Sequence, residues 1–223
     1  VVRAIKALGA PPDREGGVVS SDAVVTAVRT ATQGLDGNAR IAPHALTQLA
    51  GAIDDRFGRD ITARLFFTAG LTTRLAHPPE VSVPARELAC LHAVMEQGWG
   101  QAVAGEVAAD AGRRLADILI ATKVPRAALH PPSYLPAEVI AIHLVRWLRA
   151  RGADSVGIQI VHARVWPGRV DLWLSDALQD TVSCAARRAL LTRLFARLVH
   201  PQVHVSSHDC DGECYYRLTL RGG

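Results

Sequence analysis

The chain has 223 residues, 49% of them hydrophobic and 21% charged, which suits one globular domain with a substantial core and a short extension. Its net charge of +4 comes from 25 Lys and Arg against 21 Asp and Glu. The excess is mostly Arg spread along predicted helices, with no basic tract of the kind nucleic-acid binding needs.

At the amino terminus, Val1 to Leu8 carries Arg3 and Lys6 and runs into Pro11-Pro12, which does not read as a signal peptide. Residues 1–38 read as a loosely attached extension, with one helix bracketed by Gly16-Gly17 and Asp36-Gly37 and capped by Ser21 or Asp22. A single domain is expected over 39–223. Pro43 suits a first helical turn, and Leu46, Leu49, Ala50, Ile53 and Phe57 follow at helical spacing as far as Gly58. Asp60 can cap a second helix carrying Ile61, Leu65, Phe66 and Ala69, and Pro84 opens a third with Leu88, Leu91 and Met95 on one side.

A fourth helix spans about Ala102 to Thr122. Its small residues Ala104, Ala108, Ala111 and Gly112 allow another backbone to come close. After a proline-rich link, the helix from Ala137 to Arg151 is apolar on almost every side and is expected to be buried over most of its girth. Its most apolar part, Ala137 to Leu148, contains His143 and Arg146 and falls short of the roughly 20 residues a membrane span needs, so a cytoplasmic protein is expected.

The hydrophobic period then changes to alternation. Val156, Ile158 and Ile160, then Val170, Leu172 and Leu174 across Pro167-Gly168, read as a hairpin. A last helix from about Asp180 to Val199 precedes two strands, Val203 to Ser207 and Tyr215 to Leu220. Helices first, then a small antiparallel sheet in the order β-β-α-β-β, make an α+β domain.

Three of the four cysteines, Cys184, Cys210 and Cys214, fall near the carboxyl end, in a chain where stable disulfides are not expected. Cys210 and Cys214 bracket a short turn, and either His208 or His204 could complete a metal set with Cys184; equally, Cys184 is a small core residue and the others turn cysteines. The pairs His92 with Glu96 and Asp54 with Asp55 have acid–base chemistry but commonly sit on solvated helices, and no catalytic residue is assigned. There is no G-x-G-x-x-G after a strand, no P-loop and no four-cysteine cluster motif.

Several segments occur together in order: Ala39-Arg40-Ile41-Ala42-Pro43, Ala69-Gly70-Leu71, Ala76-His77-Pro78-Pro79-Glu80 and Ala111-Gly112-Arg113-Arg114-Leu115-Ala116-Asp117. Cys184, Leu194-Phe195-Ala196-Arg197-Leu198-Val199-His200-Pro201, Cys210, Gly212 and Cys214 close the pattern. In these the chain resembles the bacteriochlorophyll-biosynthesis protein J family and its 4-vinyl reductase domain, though Gly152 to Asp176 matches poorly.

The resemblance implies a role in reducing the C8 vinyl group of a divinyl chlorophyllide or protochlorophyllide. Without a visible electron-donor site, the expectation is an accessory or carrier working beside another pathway enzyme. It also implies a homodimer and a structural zinc held by Cys184, Cys210 and Cys214. The acidic ligand found in ligand-sensing relatives is replaced here by Ser207, which leaves His208 as the substitute. For the tetrapyrrole, the expected wall is the apolar helix with His143 as axial ligand and Trp147 beside it, Arg113 and Arg114 as carboxylate partners, and Phe66 and Phe67 as candidate lining. A small-molecule sensor and a protein-interaction module are the alternatives.

Overall fold

The computed structural model describes residues 21–33, 35, 37–124, 135–156, 158–175, 178, 180–210 and 213–220. Helix α1 (Ser21–Thr32) belongs to the extension, yet it packs along α5, and its Val28 and Ala31 lie against the core. The expectation of loose attachment does not hold for this helix. A two-residue antiparallel ladder that the sequence did not announce, β1 (Arg40–Ile41) with β2 (Val83–Pro84), then ties the start of the domain to the start of α5.

The helical half is built from α2 (Pro43–Phe57), α3 (Arg59–Thr68), the short α4 (Thr72–Ala76), α5 (Ala85–Trp99) and α6 (Gln101–Thr122). Two of its junctions use the same device. Gly58 between α2 and α3 and Gly100 between α5 and α6 have φ of 85° and 79°, in the left-handed region, where a Cβ would be strained. Each ends one helix by donating its N–H to the carbonyl four residues back and immediately starts the next.

The second half comprises α7 (Ala137–Val156), β3 (Gln159–Trp166), β4 (Arg169–Ser175), α8 (Thr181–Leu198), β5 (Val203–Cys210) and β6 (Glu213–Leu220). The strands form one antiparallel sheet in the order β3-β4-β6-β5, so the two hairpins join through β4 and β6. The α+β class and the β-β-α-β-β order are those the sequence predicts. A register shift between Ile160 and His162 leaves Val161 exposed on the edge strand.

The inner sheet face carries Val170, Leu172, Leu174, Tyr216 and Leu218, buried against α7 and α8. The outer face carries His162, Trp173, Tyr215 and His208 as a cross-strand row, one from each strand, with neighbouring ring centroids 5.0 to 5.9 Å apart.

Buried side chains fall into two clusters. One unites α2, α3, α5 and the first part of α6; the other unites the sheet, α7 and most of α8. Helices α6 and α8 pass through both and cross each other closely. A Cβ on Gly112 would clash with the Ala186 carbonyl oxygen and sit 2.9 Å from its carbon, while Gly105 faces Ala185. The small-residue face of α6, with Ala104, Ala108 and Ala111 buried, thus serves packing within the chain.

Helix α7 differs from expectation. Ala141, Leu144, Val145 and Leu148 are buried, but Ile142, His143, Arg146 and Arg149 are exposed, because only one flank meets the sheet. Among the described residues, no helix is long and apolar enough to cross a membrane.

Candidate ligand site between the two cores

The two cores do not close completely on each other. Between them lies a cavity of about 80 Å³ bounded by α2, α5, α6 and α8, with Ile41, Ile158 and Leu178 at its margins. Its wall is apolar for the most part, with Leu49, Leu88, Ala108, Leu115 and Leu190 contributing. Four polar side chains also line it: Gln48, His92, Ser183 and Arg187.

These groups are placed by the start of α8. Asp180 is the N-cap and accepts from the Ser183 N–H at 2.7 Å and the Ser183 hydroxyl at 2.8 Å, satisfying donors that the first turn leaves open. The same carboxylate faces His92 of α5, whose Nδ1 lies 3.1 and 3.3 Å from its two oxygens and 3.3 Å from Ser183 Oγ. Burial alone would push the Asp180 carboxyl up. The charge of the facing His92, with the hydrogen bonds from His92 and Ser183, outweighs burial and holds it at about 2.

One turn further along α8, Arg187 is also buried, donating from Nε to the Ser183 carbonyl at 3.2 Å and from Nη2 to the Leu178 carbonyl. The site thus combines an apolar slot, an oriented imidazole and a buried guanidinium, a set suited to a mostly apolar ligand with a Lewis-acid centre or an anionic edge.

The residues singled out in the sequence lie elsewhere. None of His143, Trp147, Arg113 and Arg114 lines this cavity. His143 is exposed on α7, and Trp147 is half-buried against the sheet core. Arg113 pairs with Asp110 in its own helix at 2.7 Å, and Arg114 reaches Asp55 on α2. Phe66 is core, whereas Phe67 is exposed. His92 partners Asp180 rather than Glu96; burial and then Asp180 push the Glu96 carboxyl up, with His92 opposing.

For the predicted metal set, Cys184 on α8 and Cys214 on β6 bring their sulfurs to 3.8 Å, beside Tyr216, whose phenol is pushed up by burial. Two thiolates on one tetrahedral zinc, with Zn–S bonds of about 2.3 Å, stand roughly 3.8 Å apart, so this pair fits. His208 does not join them. It stacks on Tyr215 on the outer sheet face, whereas Cys214 is buried on the inner one. Cys210 ends β5, and its side chain lies outside the described residues. Among the described residues no three metal-ligating side chains converge.

His92 and Arg187 were not singled out in the sequence as lining one cavity, because nothing local marks them. Their place depends on α5 and α8, 88 positions apart at the His92–Asp180 contact, meeting at the same end of the cavity.

No family model matches the chain. It is 25% identical over 195 residues to the bacteriochlorophyll synthase 23 kDa chain of Cereibacter sphaeroides, covering 82% of this chain and 92% of that one. To the protein of the same name from Rhodobacter capsulatus it is 26% identical over 196 residues, covering 84% and 90%. Among solved structures, one from work on heme distortion in the H-NOX family aligns at a TM-score of 0.52 and 12% identity, covering 80% of this chain and 94% of that one. Another, concerned with modulating heme redox potential through porphyrin distortion, aligns at 0.50 and 11%, covering 79% and 93%. At such identities these two structures share the fold with this chain.

Proposed function

We propose that this chain acts in bacteriochlorophyll biosynthesis as a tetrapyrrole-binding accessory. It takes a divinyl chlorophyllide or protochlorophyllide between the two cores and presents it for C8-vinyl reduction by a partner enzyme. Two relatives named for bacteriochlorophyll synthesis, matched over nine-tenths of their length, support the pathway. The observation that carries the binding role is the apolar inter-core cavity lined by His92 and Arg187. A fold shared with heme proteins fits the same role. The accessory character rests on the sequence, which shows no dinucleotide or iron–sulfur motif within its 223 residues.

Titration of the protein with divinyl protochlorophyllide, without reductant, tests this by absorbance and fluorescence. Saturable binding at micromolar concentration with a shifted red band is expected, and His143→Ala is expected to leave it unchanged, since His143 is exposed away from the cavity. Absence of binding would overturn the proposal. In the same reading, Cys184 and Cys214 supply two donors to a structural zinc that staples α8 to β6. Zinc should be lost in Cys184→Ser and retained in His208→Ala.

The cavity's small volume, about 80 Å³, favours one competing reading, a sensor of single-ring effectors, since an aromatic ring asks for far less opening than a macrocycle: an apolar cavity of about 150 Å³ holds benzene. A rise in melting temperature with phenol, without any response to the pigment, would favour that reading.

A further inference from the structure

We propose that the sheet edge at β3, with the flank of α7 beside it, is a docking surface for an anionic lipid bilayer, on which the protein sits peripherally. The inference is independent of what the inter-core cavity holds. Two contacts fix how α7 lies along this edge. The Glu138 carboxylate accepts from the Gly168 N–H at 3.0 Å at the turn of the β3–β4 hairpin. Arg149 Nη2 donates to the Val161 carbonyl at 2.9 Å, near the other end of β3. Glu138, Ile142, Arg146 and Arg149 are spaced i, i+4, i+8 and i+11 and form one stripe of the helix, so Ile142 and Arg146 lie between those two contacts.

The exposed side chains along this edge are of two kinds. Ile142, Val161 and Trp166 are 37%, 42% and 47% exposed, three of the six large apolar side chains left open to solvent among the described residues. Around them stand Arg146 and Arg149 on α7, Arg164 on β3 and Arg169 on β4, the last with its guanidinium 5.8 Å from the centre of the Trp166 ring. Against these four cations the described side chains of the three elements offer two carboxylates. Glu138 is engaged by Gly168, and Asp171 is buried and paired with Arg169 and Arg217.

Charges on an edge strand also serve to keep other strands from pairing with it. That role accounts for the arginines and leaves Ile142, Val161 and Trp166 unexplained. A protein partner would be held by apolar anchors clustered in a desolvated centre. Here single apolar side chains alternate with long cationic ones, the mixture suited to a bilayer interface. Tryptophan sits at the headgroup level there, and arginines reach the phosphates while their stems lie against apolar surface.

The test is sedimentation with sucrose-loaded vesicles of equal parts phosphatidylglycerol and phosphatidylcholine, against vesicles of phosphatidylcholine alone. The protein should sediment with the anionic vesicles only, and should be released as salt is raised. Arg146→Gln combined with Arg149→Gln should weaken partitioning by about tenfold or more. Trp166→Ala should weaken it severalfold. Lipids brominated on their acyl chains should quench the tryptophan fluorescence of wild type. That quenching should be lost in Trp166→Phe, which keeps Trp99, Trp147 and Trp173.

Failure to bind the anionic vesicles, equal binding to the neutral ones, undiminished binding by the double variant or undiminished quenching in Trp166→Phe would each overturn the proposal. Heparin bound as tightly as the vesicles, without quenching by brominated lipid, would mark a general polyanion surface and overturn the lipid assignment as well. If loss of the Arg149 bond to Val161 lowers the melting temperature of the double variant, Arg146→Glu takes its place with the same expectation.

Discussion

Gly112 is the residue on which the two helices common to both cores depend. Any side chain there meets the backbone carbonyl of Ala186, which belongs to α8 and cannot rotate aside. Gly112→Ala should therefore destabilise the fold by about 1–3 kcal/mol in a urea melt, in spite of alanine's better helix propensity. Gly105→Ala, whose new Cβ would make only ordinary contact at 3.7 Å, should be neutral or slightly stabilising.

Asp180 makes a second prediction at this scale. Its carboxyl is held at about 2, below the ordinary range near 3.8, so the folded state binds the proton less readily than the unfolded state. The resulting stability is complete above pH 4 and is lost as pH falls through about 2. It amounts to on the order of 2 kcal/mol. Asp180→Asn should be less stable than wild type at pH 7, with most of the difference gone by pH 2 when the two are compared by chemical denaturation.

At the scale of elements, the contact between α6 and α8 has an exposed edge and a buried centre, and magnitudes decide between them. Arg193 grips Asp117 through two hydrogen bonds of 2.8 and 3.2 Å, but the side chains are 42% and 50% exposed. Arg193→Ala should cost less than about 1 kcal/mol. Its neighbour Leu194 is fully buried among the sheet residues, and Leu194→Ala should cost about 2–5 kcal/mol. A reversal of that order in thermal melts would mean that the seam is held by its ion pairs.

Elements of this kind were legible in the sequence wherever a single period governed them. The apolar repeats of α2, α5 and α8, the alternation in β4 and the Gly168 turn all lie where periodicity put them. Helix α7 was misread because apolar residues such as Ile142 and Val139 occur off its buried flank, so composition overstated burial. The candidate site was less legible still. The sequence singled out His143 for its apolar helix, whereas His92 acquires its meaning from Asp180, and no local pattern links α5 to the cap of α8.

For the whole molecule, the decisive quantity is the space between the cores. About 80 Å³ is far below the roughly 300–1,000 Å³ of ordinary ligand pockets, so on the proposed function a macrocycle would enter only with the cores parted. Because α6 and α8 run through both, separation would be resisted along the helices that the two cores share. On the proposed function, binding would carry the cost of exposing apolar wall before the macrocycle covers it again, which would limit affinity.

Filling the space tests this directly. Ala45 on α2 lines the cavity and is only half-buried, so Ala45→Leu adds carbon on the order of the existing void with room to adjust. The variant should melt within a few degrees of wild type and bind divinyl protochlorophyllide at least about tenfold more weakly, roughly 1.4 kcal/mol. Unchanged pigment affinity in a stably folded Ala45→Leu would place the pigment on another surface and leave the cavity as a packing defect between the cores.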